Sequence, residues 1–340
     1  MIIAAIPPSP ARPTDPVSAA TVRAAAFVAA HRAAAQRDGA DLAEHSNDPD
    51  AFASALRRAL RALADPDYVV GQHRVAPGIG ALVGVRWPLM AALARGFRRA
   101  TRHDSAGPLL FVIERLLHED HLEPRWFAFG LAERTLASEA ERTWQLLRGA
   151  AREAGDWITV DSLAHPYAVG IAAEPFRWAE LELLVYSSSR WERRLVGSTI
   201  ATLTHGAPGR RLGSEVVRRA LPILGQLMGD AELDVQKALS WAYRSLAAVD
   251  LDATTVALQA QTDLAVVTGD GHRAWVIRDS LTKLAPTRAT ALRERLAGIR
   301  KRPGAPSTSA ATATAARFGR LPERTLQPTD PAHLTRSSRP

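Results

Sequence analysis

The chain has no cysteine. That excludes disulfides, thiolate metal sites and cysteine nucleophiles, and it fits a reducing compartment, so a cytoplasmic protein is expected. Aromatic residues are scarce at 6%, and no apolar run reaches the length of a membrane span. Met1-Ile-Ile-Ala-Ala-Ile6 is too short for the apolar region of a signal peptide and meets Pro7-Pro8 at once. No stretch shows the period-two alternation of a half-buried strand. Without a preceding strand, and with the wrong glycine spacing, Gly78-Ile-Gly80 is not a phosphate-binding loop. His118-Glu-Asp-His121 lacks metalloprotease spacing, and Ser187-Ser-Ser189 lacks the glycines of a nucleophile elbow. Neither a metal nor a cofactor is expected.

What is there is alanine, arginine and helical periodicity. Of the 340 residues 46% are hydrophobic, enough for a sizeable core, and alanine, the best helix former, supplies much of that share. The formal charge is +8, but residues 301–340 hold seven basic residues against two acidic ones, leaving only +3 for the other 300. Net charge alone therefore says little about a polyanionic partner, and local clusters must make that case.

Residues 1–16 are proline-rich and read as a disordered tail. An alanine-rich helix follows from Ser18 to Arg37, with Asp38-Gly39 as its stop. Asp48-Pro49 opens another, with Phe52, Leu56, Leu60 and Leu63 at helical spacing. Tyr68 to Gly84 is less regular. From Trp87-Pro88 onward, amphipathic helices come in pairs. First helices start near Trp87, Leu122, Asp156, Arg190, Glu232 and His272; second helices start near Ser105, Ser138, Glu174, Gly213, Leu251 and Pro286. First helices recur at intervals of about 35, 34, 34, 42 and 40 residues. A helical hairpin of that length cannot bury its apolar face alone, and stacking hairpins solves the problem. The expected fold is all-α, a solenoid of stacked antiparallel helix pairs over residues 17–300. Pro108, Pro166 and Pro222 fit its helices less well and mark expected kinks. After Arg300 the pattern stops, and residues 301–340 read as a disordered basic tail.

Three first helices carry unusual residues. Asp156-Trp-Ile-Thr-Val-Asp161 sets Trp157 and Asp161 one helical turn apart, an indole beside a carboxylate, which suits a cationic group. Arg190-Trp-Glu-Arg-Arg194 follows in the next pair, and Val235-Gln-Lys-Ala-Leu-Ser-Trp241-Ala-Tyr-Arg244 in the one after. Equivalent positions of successive repeats line one face of a solenoid, so these residues are expected to converge on its concave surface. Taken singly, each tryptophan reads as core and each arginine as a solvated charge; the combination across three repeats points to a site. Arg86, Arg95, Arg98, Arg99 and Arg102 form a basic run with no acid, and seven arginines lie between Arg190 and Arg219. Guanidinium forks match phosphate geometry, so a nucleic-acid backbone is the expected partner.

In these motifs the chain resembles the HEAT-like-repeat DNA alkylation repair family, the AlkD-type alkylpurine DNA glycosylases. The resemblance rests on Trp157 and Asp161, on Trp191 and Arg194, and on Lys237, Trp241 and Arg244. Gly84-Val-Arg-Trp-Pro88 and Glu123 through Glu133 add to it, and it covers roughly Asp48 to Arg300. It implies a monomeric, cofactor-free glycosylase that releases positively charged purines such as 3-methyladenine and 7-methylguanine from duplex DNA, without obligatory flipping of the base. It further implies that Asp161 is the catalytic carboxylate, that Trp157 and Trp241 flank the lesion nucleotide, and that Arg194 holds backbone phosphate. Arg190, Arg193, Arg244 and Lys237 are read as further phosphate contacts. Relatives acting on bulky toxin-derived adducts share these residues, so a self-resistance glycosylase is one alternative. A non-catalytic repeat scaffold that binds DNA or protein is the other; a buried ion pair at Asp161 would favour it.

Overall fold

A computed structural model describes residues 19–318. The expected tail over residues 1–16, and residues 319–340 of the expected C-terminal tail, lie outside the described residues. The chain forms α1 (Ala19–Asp41), α2 (Pro49–Ala62), α3 (Pro66–Val75), α4 (Trp87–Ala100), α5 (Leu109–Leu117) and α6 (Leu122–Thr135). It continues through α7 (Ala140–Glu153), α8 (Trp157–Ala173), α9 (Trp178–Leu184), α10 (Arg190–Leu203), α11 (Gly206–Leu212) and α12 (Glu215–Leu227). The last elements are α13 (Leu233–Ala247), α14 (Leu251–Thr268), α15 (Gly271–Ser280), α16 (Pro286–Arg295) and α17 (Ala310–Phe318). No strand occurs among the described residues; one isolated bridge joins Ala64 to Val85. The protein is an all-α repeat solenoid. One layer runs α6, α8, α10, α13, α15 side by side, and α5, α7, α9, α12, α14 and α16 lie on the other.

Helix starts follow side-chain chemistry. Asp48 accepts from Asp50 N at 3.1 Å and Ala51 N at 2.9 Å, and Pro49 takes the first helical position, where its missing N–H costs nothing. Pro108 stands just ahead of α5, whereas Pro166 and Pro222 lie inside α8 and α12. The loop before α4 is held from across the molecule. The buried Glu123 carboxylate accepts from the backbone N–H groups of Val83, Gly84 and Val85, at 3.0, 2.7 and 3.2 Å. Glu123 thereby satisfies three donors that no helix or sheet serves.

Three parts of the structure depart from expectation. First, α1 does not stop at Asp38-Gly39 but runs on to Asp41. The reason is packing: a Cβ on Gly39 would lie 2.0 Å from the Leu93 carbonyl oxygen, and one on Gly96 would lie 2.0 Å from that of Gln36. The two glycines let α1 and α4 cross nearly backbone to backbone, and that contact outweighs the weak helix propensity of glycine. Gly96→Ala is expected to force the helices apart and to destabilise the protein by about 1–3 kcal/mol, read as a lower urea midpoint. Second, the irregular stretch before Gly84 contains α3, capped by Asp65, which accepts from Asp67 N at 3.0 Å. Third, order extends beyond Arg300. Thr308 N donates to Gly229 O at 2.9 Å, Ala311 is buried, and α17 packs on α12. The longer fourth interval is filled by the short helix α11.

Candidate active site

The start of α8 is fixed by its cap. Asp156 caps the helix, with Oδ1 accepting from Thr159 N at 2.8 Å and Oδ2 from Thr159 Oγ1 at 2.7 Å. Trp126 of α6 donates its indole N–H to the same Thr159 hydroxyl at 3.0 Å. This buried chain sets the rotation of α8, and with it the direction in which Trp157 and Asp161 leave the helix. Trp157 is half-buried against the core, while Asp161 is 8% exposed.

Asp161 has company that its own helix does not supply. Arg194 of α10 grips it with a fork: Nε donates to Oδ1 at 3.1 Å and a terminal nitrogen to Oδ2 at 2.8 Å. Ser198, one turn further along α10, donates to Oδ1 at 2.6 Å. The other terminal nitrogen of Arg194 donates to the carbonyl of Asp234 at the start of α13, at 2.7 Å. The guanidinium carbon also lies 5.8 Å from the centre of the Trp157 ring. One ion pair thus joins three successive first helices beside an indole. A carboxylate offers about four acceptor positions; three are used here, two on Oδ1 and one on Oδ2.

The structure brings Trp157, Asp161 and Arg194 together. Trp241 is half-buried on α13, seven residues beyond Asp234, and so on the same face of that helix. Lys237 lies one turn before it and is exposed. Arg190, Arg193, Arg218, Arg219 and Arg244 have acidic partners. Arg193 pairs with Asp230 at 2.7 Å and also donates to the Ser187 and Ser188 carbonyls. Arg190 lies 3.6 Å from Glu232 and over the Trp191 ring, and Arg244 lies 2.7 Å from Asp279. Arg218 and Arg219 both reach Glu215. Arg194, for which the resemblance implies a phosphate contact, donates instead to Asp161 and to the Asp234 carbonyl.

Two residues near the pair carried no signal of their own in the sequence. Ser198 follows Arg194 at i+4, the one spacing that could have linked them. His165 follows Asp161 at i+4. Burial pulls its imidazole below the ordinary value, against the pull of Asp161 and with the help of His205.

Further along α8 a cavity of about 350 Å³ opens between α4, α6, α8 and α11, with Arg98, Glu133, Arg134 and Arg211 in its walls. Burial pushes the Glu133 carboxyl up to about 7, with Arg98 opposing. An acid raised in the folded state binds its proton more tightly folded than unfolded. Its contribution is therefore fully present below the ordinary value of 4.5 and is lost as pH rises toward about 7. Glu133→Gln is expected to raise the melting midpoint relative to wild type at pH 8 and to change it little at pH 4; thermal scans at both values check this.

Among the described residues no group of three or more histidines and carboxylates could hold a metal ion, and no helix is long and apolar enough to cross a membrane. His118 ends α5, and its neighbour Glu119 is a structural acid, 2.7 Å from both Arg57 and Arg115.

Fold and site together define an all-α repeat protein with a forked acid–arginine pair set beside an indole. The family model for DNA alkylation repair enzymes matches residues 56–284, more than half of the chain and the span that holds all of these residues. The protein belongs to the DNA alkylation repair enzyme family. No curated protein matches it.

Proposed function

We propose that the protein is a monofunctional DNA glycosylase that hydrolyses the N-glycosidic bond of positively charged alkylpurines in duplex DNA. It acts as a cytoplasmic monomer, needs no cofactor, and does not require the base to be flipped into a pocket. The observation that carries the reading is Asp161, held by Arg194 and Ser198 with the Trp157 indole one turn away.

The chemistry needs little more. Alkylation at N3 or N7 leaves the purine cationic. When the C1′–N bond breaks, its electron pair goes to the base, which departs neutral, so no general acid is required. The sugar left behind has oxocarbenium character, and a fixed carboxylate stabilises it without reorganising. Water then adds its oxygen to C1′ and loses a proton. The unfilled acceptor position on Asp161 Oδ2 suits that water. Trp157 and Trp241 offer π faces to the cationic nucleotide, each contributing roughly 0.5–2 kcal/mol.

The same ion pair favours a second reading. With a side-chain exposure of only 10% and a full guanidinium fork on it, Asp161 also suits a tie between repeats in a non-catalytic DNA-binding scaffold. Incubation with duplex containing 7-methylguanine or 3-methyladenine separates the two. Free base released above the spontaneous rate is the expected result. A folded protein that binds the duplex and releases none is a scaffold. Release from a bulky alkylpurine but not a methylated one gives the self-resistance enzyme.

A further inference from the structure

Beyond residue 284, where the family match ends, the chain turns back across its own first-layer helices. The return segment, from Arg300 to α17, is built in. A Cβ on Gly271, the first residue of α15, would lie 2.2 Å from the Arg300 carbonyl oxygen, so the segment rests directly on that helix start. Gln236 of α13, fully buried, ties it down. Its Oε1 accepts from Lys301 Nζ at 2.9 Å, and its Nε2 donates to His272 Nδ1 at 3.2 Å. That leaves His272 Nε2–H to donate to Ala305 O at 3.1 Å. Thr308 then bonds Gly229 and Asp270.

The charge on this strap is not balanced. Lys301 Nζ lies 4.6 Å from the centre of the Trp275 ring, and both burial and the neighbouring Lys237 ammonium pull its pKa down. Arg300 and Arg302 on either side are exposed. Nearby carboxylates are already engaged: Asp230 with Arg193, Glu232 with Arg190, Asp270 with Arg273 and Asp279 with Arg244. Asp234 lies one turn before Lys237 but makes no ion pair with it. Among the described residues, no carboxylate pairs with Lys237, Arg300, Lys301 or Arg302. Gln236 Oε1 and the Trp275 ring engage the Lys301 ammonium, but both are uncharged and leave its charge unneutralised. Lys301 bonds the residue next to Lys237, and two such cations with no paired carboxylate are what a multiply charged anion neutralises.

We propose that the strap and α13 form a backbone-phosphate site for duplex DNA, with Lys237 and Lys301 as its paired cations and Arg300 and Arg302 at its rim. The site lies one helical turn from Trp241, so it would hold the duplex to one side of the lesion. It rests on the reading of the protein as DNA-binding and extends the surface past the part shared with the family.

Undamaged duplex is the probe, and its affinity is measured across a salt series. Each phosphate contact contributes about 0.9 to the slope of log K against log salt. Lys301→Gln removes the charge while keeping an N–H donor for Gln236 Oε1 and is expected to lower the slope by about 0.9; Lys237→Gln with Lys301→Gln should lower it by about 1.8. Circular dichroism and the melting midpoint verify that the variants are folded. A folded double variant with the wild-type slope overturns the strap site while leaving DNA binding intact. A wild-type protein that fails to bind duplex at low salt overturns the DNA reading itself.

Discussion

Asp161→Asn is expected to lower single-turnover release of 7-methylguanine by about 100-fold or more while duplex binding stays close to wild type. The magnitude is that of removing one preorganised electrostatic group aimed at developing charge. Asparagine keeps the volume, and its carbonyl can still accept from Arg194 or Ser198, so the loss is one of charge more than of shape. The cost is not confined to chemistry. Arg194 would keep a buried guanidinium without its anion, and breaking a buried pair by removing one partner typically costs about 3–5 kcal/mol. Release must therefore be measured well below the variant's own melting midpoint. Unchanged release from the folded variant would remove Asp161 from the chemistry and leave the scaffold reading.

The repeat architecture was legible in the sequence because its cause is local. First helices were placed at Trp87, Leu122 and Arg190, where they begin, since apolar spacing and start signals act within a turn or two. The Trp157–Asp161 relation was legible for the same reason: it is one turn of one helix. The partner of Asp161 was not. Arg194 lies 33 residues away, and a run of arginines gives no hint which guanidinium turns inward. Ser198 was hidden as an ordinary helical serine. Gly39 read as a stop because the sequence does not show Leu93 lying against it. The stretch after Arg300 read as disordered because its composition is that of a linker. What orders its described part, up to residue 318, is backbone and polar bonding to Gly229, Gln236 and His272, none of which leaves a periodic trace. Local patterning announces helices and the faces they share, whereas contacts between repeats that depend on one polar side chain stay silent until the repeats are stacked.

Arg194→Ala separates the role implied by resemblance from the one its surroundings suggest. A phosphate contact at an open surface would lower the salt slope of duplex binding by about 0.9 and leave stability almost untouched. A guanidinium whose side chain is 6% exposed, bonded to both oxygens of Asp161 and to the Asp234 carbonyl, behaves otherwise. Its removal leaves a buried carboxylate with only Ser198 on it and breaks the link among α8, α10 and α13. The expected result is a loss of about 3–5 kcal/mol in stability, seen as a lower urea midpoint, with the salt slope close to wild type. Base release should fall nearly as far as in Asp161→Asn, because an acid without its guanidinium fork is no longer held in position. Arg194→Lys sharpens the test, since lysine restores the charge but not the fork and should recover stability only in part. A reduced salt slope with wild-type stability would return Arg194 to the phosphate backbone and leave Asp161 to be held by Ser198 alone.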